Sequence, residues 1–126
     1  MGTFKGKMYW VADDFNYYGF YVPKTDDTFH VVANIQNVII SEFMIKFDTT
    51  PVEYFGKNIT YNVNLKANDI GLGFSGKFFS PEDEGDGEVY CEVFENNKTY
   101  FLFGRWIENE IITTWWARIE KNSINL

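Results

Sequence analysis

Polar and apolar residues alternate along most of this chain, and short polar stretches separate the alternating segments. The clearest case is residues 57–67, where Ile59, Tyr61, Val63 and Leu65 alternate with asparagine and threonine. A period of two places the apolar side chains on one face of a β-strand. The pattern therefore predicts a strand with one buried face and one solvated face.

A two-residue turn at 68–69 would pair this strand with residues 70–79. The pairing then sets Val63 opposite Phe74. Every apolar residue of the pair falls on the same face, as a half-buried hairpin requires. The segment thus predicts an antiparallel hairpin.

The C-terminal half gives two further hairpins. Asparagines at 96–97 are suited to a type I′ turn, because asparagine tolerates positive φ. A second turn is predicted at 108–109. The two turns assign strand 98–107 the same inner face, so together they predict a three-stranded meander over 88–120.

The N-terminal region is expected to form another hairpin, with a turn at 13–14 between strands 3–12 and 15–22. In this register Trp10 lies opposite Tyr17. Aromatic residues occur on both faces of the second strand.

Residues 28–48 fit either one long bent strand or two strands that turn near 36–37. The following stretch, Thr50 to Glu53, matches a capping box with proline at the first helical position. Gly56 is a typical helix stop. We therefore predict one short helix near 51–55.

The fold class predicted by these segments is all-β, with eight or nine antiparallel strands in a single domain over 1–126. Consecutive hairpins close naturally into a small up-and-down barrel, because closure removes exposed edges. The alternative is a two-sheet β-sandwich. The order of short strands, ending in Thr113-Thr114-Trp115-Trp116, resembles the lipocalin and avidin type of barrel. The resemblance is architectural; it implies the barrel and carries over no binding residue.

Aromatic residues make up 20% of the chain. Such residues bury large areas, and tyrosine and tryptophan carry polar groups that need partners when buried. An eight-stranded barrel either fills with side chains or encloses one small ligand. The aromatics predicted to face the interior, and to line a ligand site if it is hollow, are Trp10, Tyr17, Tyr61, Tyr100, Trp106 and Trp115.

The outer face of the C-terminal meander is unusually apolar. Aromatic patches rimmed by charge often mark interfaces. Cover by a second sheet or by a chain terminus is the alternative to a homodimer or partner face. The residues predicted for this interface are Tyr90, Phe101, Phe103, Arg105, Ile112, Trp116 and Arg118.

Charge and the remaining chemistry narrow the classes of function. The net charge of −7 disfavours binding to nucleic acid or to anionic lipid. No apolar run is long enough for a membrane helix, and no signal peptide is visible, so we expect a cytoplasmic protein. Cys91 and His30 form no catalytic or metal-binding pattern, and the acidic stretch 82–88 fits a solvated loop better than a calcium site.

The sequence therefore predicts a non-catalytic binding protein without a cofactor or metal. It would hold a small planar or amphipathic ligand in the barrel, or associate through the aromatic sheet face as a homo-oligomer or with a protein partner. The alternative is a small acidic protein-interaction module, such as a toxin immunity protein or a phage-encoded inhibitor of host defence.

Overall fold

A computed structural model of the chain describes residues 3–11, 30–54, 56–69, 73–82 and 86–123. Eight antiparallel strands close into a barrel, and each strand of the barrel pairs with its neighbours along the chain. The first barrel strand pairs with the last, so no edge is left open. The predicted all-β, up-and-down barrel is confirmed, and the two-sheet sandwich is not formed.

Ten strands occur in the described residues, and two of them form a separate hairpin inserted between the third and fourth barrel strands. The elements are β1 (Phe4–Val11), β2 (His30–Ile40), β3 (Met44–Thr49), β4 (Val52–Tyr54), β5 (Lys57–Ile59), β6 (Asn62–Ala67), β7 (Phe74–Phe79), β8 (Asp86–Glu95), β9 (Thr99–Glu108), β10 (Ile111–Glu120) and a 3-10 turn (Lys121–Ser123). The barrel order is β1-β10-β9-β8-β7-β6-β3-β2, and β4 pairs with β5.

The β8–β9 hairpin keeps its predicted faces but slips by two residues in register. Val93 pairs with Leu102, whereas the sequence pattern placed Val93 opposite Tyr100. The turn lies one position later than predicted, because the Asn96 side chain accepts hydrogen bonds from the backbone N–H groups of Lys98 and Thr99 at 2.8 Å.

The β9–β10 hairpin shows the same two-residue slip. Trp106 pairs with Thr113 instead of Ile111. Asn109 and Glu110 both have positive φ, at 51° and 68°, as the two central residues of a type I′ turn must. The turn therefore lies at 109–110, one residue beyond its predicted place.

The β6–β7 hairpin slips by four residues, so Val63 pairs with Phe78 instead of Phe74. The connection is longer than the predicted two-residue turn and is closed by a 3.1 Å hydrogen bond from the Asn68 N–H to the Gly73 carbonyl. Gly73 has a φ of 96°, a conformation that side chains other than glycine rarely adopt. Because the shift is an even number of residues, the same side chains still face the barrel interior.

The described part of the predicted 28–48 segment, residues 30–48, contains two strands rather than one, and their turn lies at 41–43. The Ser41 hydroxyl accepts hydrogen bonds from the N–H groups of Phe43 and Met44 at 3.2 Å and stabilises that turn. The predicted turn position holds a β-bulge instead, where the β2–β3 register shifts and Asn37 has a φ of 56°.

Strand β4 occupies most of the stretch predicted as a short helix at 51–55. Among the described residues, a helical turn occurs instead at 121–123, as a 3-10 turn. Val52 pairs with Ile59, and both side chains are buried in the main core. Burial of this pair outweighs the local capping signal, as tertiary packing often does. The predicted strand 57–67 is correspondingly divided into β5 and β6.

Both edges of β1 are occupied, by β10 on one side and β2 on the other. The predicted pairing of 3–12 with 15–22 therefore does not form, and Trp10 lies opposite Trp115 and Val31. The segment 15–22 itself lies outside the described residues.

The middle of the barrel is packed with side chains. Trp115 is fully buried, and its indole N–H donates to the Arg105 carbonyl at 3.1 Å and to the Tyr90 carbonyl at 3.3 Å. Trp115 pairs with Gly104, where a Cβ atom would lie 1.8 Å from the Tyr90 carbonyl oxygen. Glycine at this position lets neighbouring strands approach closely beneath a bulky aromatic side chain.

Candidate functional site: one mouth of the barrel

A cavity of about 120 Å³ lies at one end of the barrel. Its lining comes from strand ends that meet there. The end of β1, the start of β2, the β4–β5 hairpin and the residue before β6 form one part of the lining. The end of β9 and the start of β10, on either side of the turn between them, form the other part. The described lining residues are Trp10, Val11, Val31, Val52, Tyr61, Trp106, Glu108, Ile111 and Thr113.

Burial is graded from the floor of the cavity to its rim. Trp10, Tyr61 and Trp106 are buried, whereas Val31 and Ile111 are 36% and 45% exposed. The cavity thus opens to solvent past aliphatic side chains and ends on aromatic rings.

Five aromatic residues form the floor and the packed layer beneath it, and we call Trp10, Tyr61, Phe78, Trp106 and Trp115 the inner cluster. Trp106 stacks on Phe78 with ring centroids 4.7 Å apart. It also meets Trp10 and Tyr61 edge to face, each at 5.3 Å, and Trp115 at 6.1 Å. Such geometries suit the quadrupoles of aromatic rings. Trp106 therefore separates the cavity from the packed centre.

Glu108 brings a carboxylate to this aromatic mouth. It accepts a hydrogen bond from the Trp106 indole N–H at 3.1 Å. The Tyr61 hydroxyl donates to its two oxygens at 3.2 and 3.3 Å. Two neutral donors from the cavity floor thus fix the position of the carboxylate.

Trp10 differs from Trp106 in its hydrogen bonding. Its indole nitrogen is buried and has no hydrogen-bond partner among the described residues. A buried donor without a partner carries a desolvation cost. The two indoles at the mouth are therefore energetically unlike, although both rings line the same cavity.

The β4–β5 hairpin forms one wall of the mouth. Hydrogen bonds of Thr60 and Tyr61, the two residues that follow β5, anchor it to the barrel. The Thr49 hydroxyl accepts from the Tyr61 N–H at 2.9 Å. The Glu82 carboxylate accepts from both the N–H and the hydroxyl of Thr60 at 2.7 Å. These bonds from Thr60 hold the pKa of Glu82 below its ordinary value.

The structure brings three of the predicted ligand residues together at the mouth: Trp10, Tyr61 and Trp106. Trp115 lies in the packed centre beneath them. Tyr100 is half-buried near the opposite end, where it meets Phe4 edge to face at 5.6 Å. Tyr17 lies outside the described residues.

Glu108 was not among the predicted site residues, because the sequence pattern placed it in a turn. The signal was present: Leu102, Gly104 and Trp106 occupy alternate inner positions of β9, and Glu108 continues that series. A carboxylate at the end of an inward-facing row is uncommon, because charged groups are rarely buried without partners.

The predicted interface residues divide by burial. Trp116 is only 2% exposed and stacks on Tyr9 with ring centroids 5.4 Å apart. We call Tyr9, Val11 and Trp116, with Val32, Phe101 and Phe103 packed against them, the outer cluster. Tyr90 is half-buried, and the exposed members of the predicted interface are Arg105, Ile112 and Arg118.

Cys91 is a buried core residue, as the sequence pattern indicated. Burial, with a smaller contribution from Glu92, raises the pKa of its thiol to about 12. No group of three or more His, Cys, Asp or Glu residues in the described part of the chain is arranged to hold a metal ion.

Comparisons with protein-family models, with curated proteins and with solved structures found no match to this chain. None of the helical segments in the described residues is long and apolar enough to cross a membrane.

Proposed function

We propose that the protein is a non-catalytic binding protein that holds a small ligand in the mouth of its barrel. The observation that carries this proposal is the cavity, in which Trp10, Tyr61 and Trp106 meet the Glu108 carboxylate. Ligand sites are typically concave and mostly apolar, with a few fixed polar groups that orient the ligand. The mouth has this composition.

The size of the cavity supports a small ligand. A volume of about 120 Å³ corresponds to about ten water molecules at roughly 10–15 Å³ each. That is room for a group the size of a substituted aromatic ring. Because the barrel centre is packed, a ligand would lie on the inner cluster instead of passing through the barrel.

The test is calorimetric titration of a small neutral probe, benzyl alcohol, into three proteins. These are the wild type and two variants that each gain a phenylalanine, Val31→Phe and Ile112→Phe. Val31→Phe enlarges a side chain on the cavity rim, whereas Ile112→Phe enlarges one that is 66% exposed and absent from the cavity lining. Wild type and Ile112→Phe should bind the probe, and Val31→Phe should not. Equal binding by all three proteins, or none by the wild type at millimolar probe, would contradict the proposal.

A second candidate function is association through the outer face of β8 and β9. Phe94, Phe101 and Phe103 follow one another there with ring centroids 6.5 Å apart, and Phe94 is 54% exposed. Phe101 and Phe103 are half-buried, so the row is partly exposed. A partly exposed aromatic row favours a homodimer or a protein partner, including the interaction-module class. Light scattering tests the homodimer: the wild type should be dimeric and Phe94→Glu monomeric, and a monomeric wild type would exclude it.

The proposal includes a cytoplasmic location. It is supported by the free thiol of Cys91, the one cysteine in the sequence, which suits a reducing compartment.

A further inference from the structure

The outer face of the C-terminal strands carries an acidic residue on one side of β9 and a basic residue on the other. Glu92 of β8 pairs with Phe103 of β9, and Arg118 of β10 pairs with Phe101 of β9. Cross-strand partners of an antiparallel sheet point to the same face. Phe101 and Phe103 belong to the outer cluster, so Glu92 and Arg118 also lie on the outside of the barrel.

These two charges do not pair within one copy of the chain. They lie two strands and one ladder step apart, which places their Cα atoms about 12 Å from each other on the face. Arg118 contacts Glu120 at 3.1 Å through exposed side chains, and Glu92 forms no ion pair in the described part of the chain. An exposed ion pair is weak, so the face presents one uncompensated carboxylate and one loosely held guanidinium.

The positions of the two charges suit a two-fold axis. Such an axis brings residue i of one copy against residue j of the other, and j against i. Glu92 and Arg118 lie on opposite sides of the point midway between Phe101 and Phe103, at about equal distances from it. An axis through this point, in the plane of the interface and at right angles to the line joining Glu92 to Arg118, would place each Glu92 opposite Arg118 of the other copy.

The same axis would bring phenylalanine rings together. It places Phe94 of each copy close to Phe101 of the other, because Phe94 pairs with Phe101 on the adjacent strand. Phe94 is 54% exposed and Phe101 is half-buried, so both rings have surface left to bury. Apolar burial would supply affinity, and complementary charges would fix the orientation.

A second copy of the chain is the partner that this face describes. The face fits a surface with phenylalanine between one acidic and one basic residue, and its own copy presents that arrangement. The net charge of −7 opposes association of two copies. Charges separated by more than about 8 Å are largely screened at physiological ionic strength, whereas the facing pairs would be in contact.

We infer that the outer face of β8, β9 and β10 forms a two-fold homodimer in which Glu92 of each copy pairs with Arg118 of the other. This inference rests on the second candidate function and specifies both the partner and its orientation.

The experiment reverses each charge and then mixes the two variants. Light scattering should show a dimeric wild type, whereas Glu92→Arg and Arg118→Glu should each weaken the dimer by about tenfold or more, because like charges would face each other twice. An equimolar mixture of the two variants should regain the dimer, since both facing pairs in the mixed species are again of opposite sign. Glu53→Arg and Lys46→Glu, which reverse exposed charges on β4 and β3, are the matched controls and should stay dimeric.

The outcomes separate the arrangement from the association itself. A mixture that stays monomeric, or single variants that dimerise like the wild type, would overturn the arrangement; a monomeric Phe94→Glu would then still support association through this face. A monomeric wild type would overturn both. Circular dichroism of each variant checks that the barrel is folded, and the regained dimer in the mixture requires two folded chains.

Discussion

Trp115 and Trp116 are adjacent in sequence but lie on opposite sides of one sheet, in the inner and the outer cluster respectively. Both are buried, so burial alone does not distinguish the clusters. They differ in their polar groups: the inner cluster leads to a cavity and a carboxylate held by Tyr61 and Trp106. The proposed ligand site therefore lies at the inner cluster, where the rings meet open volume and a positioned polar group.

The largest expected effect is on stability and compares these two tryptophans. Trp115→Ala removes a fully buried side chain and two hydrogen bonds to backbone carbonyls, and should cost about 5 kcal/mol of unfolding free energy. Trp116→Ala should cost about 3 kcal/mol, because the smaller outer cluster can relax around the loss. Urea unfolding measures both values. A larger cost for Trp116→Ala would contradict the assignment of the main core.

The second prediction compares the two indoles at the mouth. Trp106→Phe removes a hydrogen bond to the Glu108 carboxylate, whereas Trp10→Phe removes an N–H that has no partner among the described residues. Loss of a hydrogen bond to a charged group should make Trp106→Phe less stable than Trp10→Phe by about 2 kcal/mol. Equal unfolding free energies for the two variants would show that the carboxylate does not hold Trp106.

The smallest effect concerns the wall of the mouth and depends on pH. The lowered pKa of Glu82 means that its bonds to Thr60 stabilise the fold fully above the ordinary value of 4.5. That contribution is lost as the pH falls through the lower, folded-state pKa. Glu82→Gln should therefore unfold more easily than wild type at pH 7, and the difference should shrink in acid.

Thermal unfolding between pH 7 and pH 3 measures this dependence. Glu53→Gln, which removes an exposed carboxylate from the same hairpin, is the matched control and should change stability little at pH 7. A Glu82→Gln difference that stays constant down to pH 3 would argue against the Thr60 contact as its source.

The sequence was sufficient to predict the barrel and the direction of most side chains, but not the register. Alternation specifies which residues face inward, and a register shift of two or four residues keeps each side chain on the same face. The three hairpins that slipped kept Val63, Leu102 and Trp106 on the inner face for this reason. Turn positions depend on local bonds, such as those of Asn96, that periodicity does not reveal.

The candidate site was predicted in its apolar part and missed in its charged part. Trp10, Tyr61 and Trp106 were expected inside because the alternation and register of their predicted strands place them on the inner face. Glu108 was assigned to a turn, and Val52 to a helix, because local turn and capping signals were given more weight than burial. Both errors concern strand ends, where local and tertiary preferences compete.

The most direct test of a ligand in the mouth uses the four tryptophans of the sequence, whose indole N–H groups give four separate NMR signals once assigned by single Trp→Phe variants. Benzyl alcohol is titrated into nitrogen-15-labelled protein. The signals of Trp10 and Trp106 should shift most, since these two rings line the cavity, and those of Trp115 and Trp116 should shift least. Shifts concentrated at Trp116, or an unchanged spectrum at millimolar probe, would contradict the account.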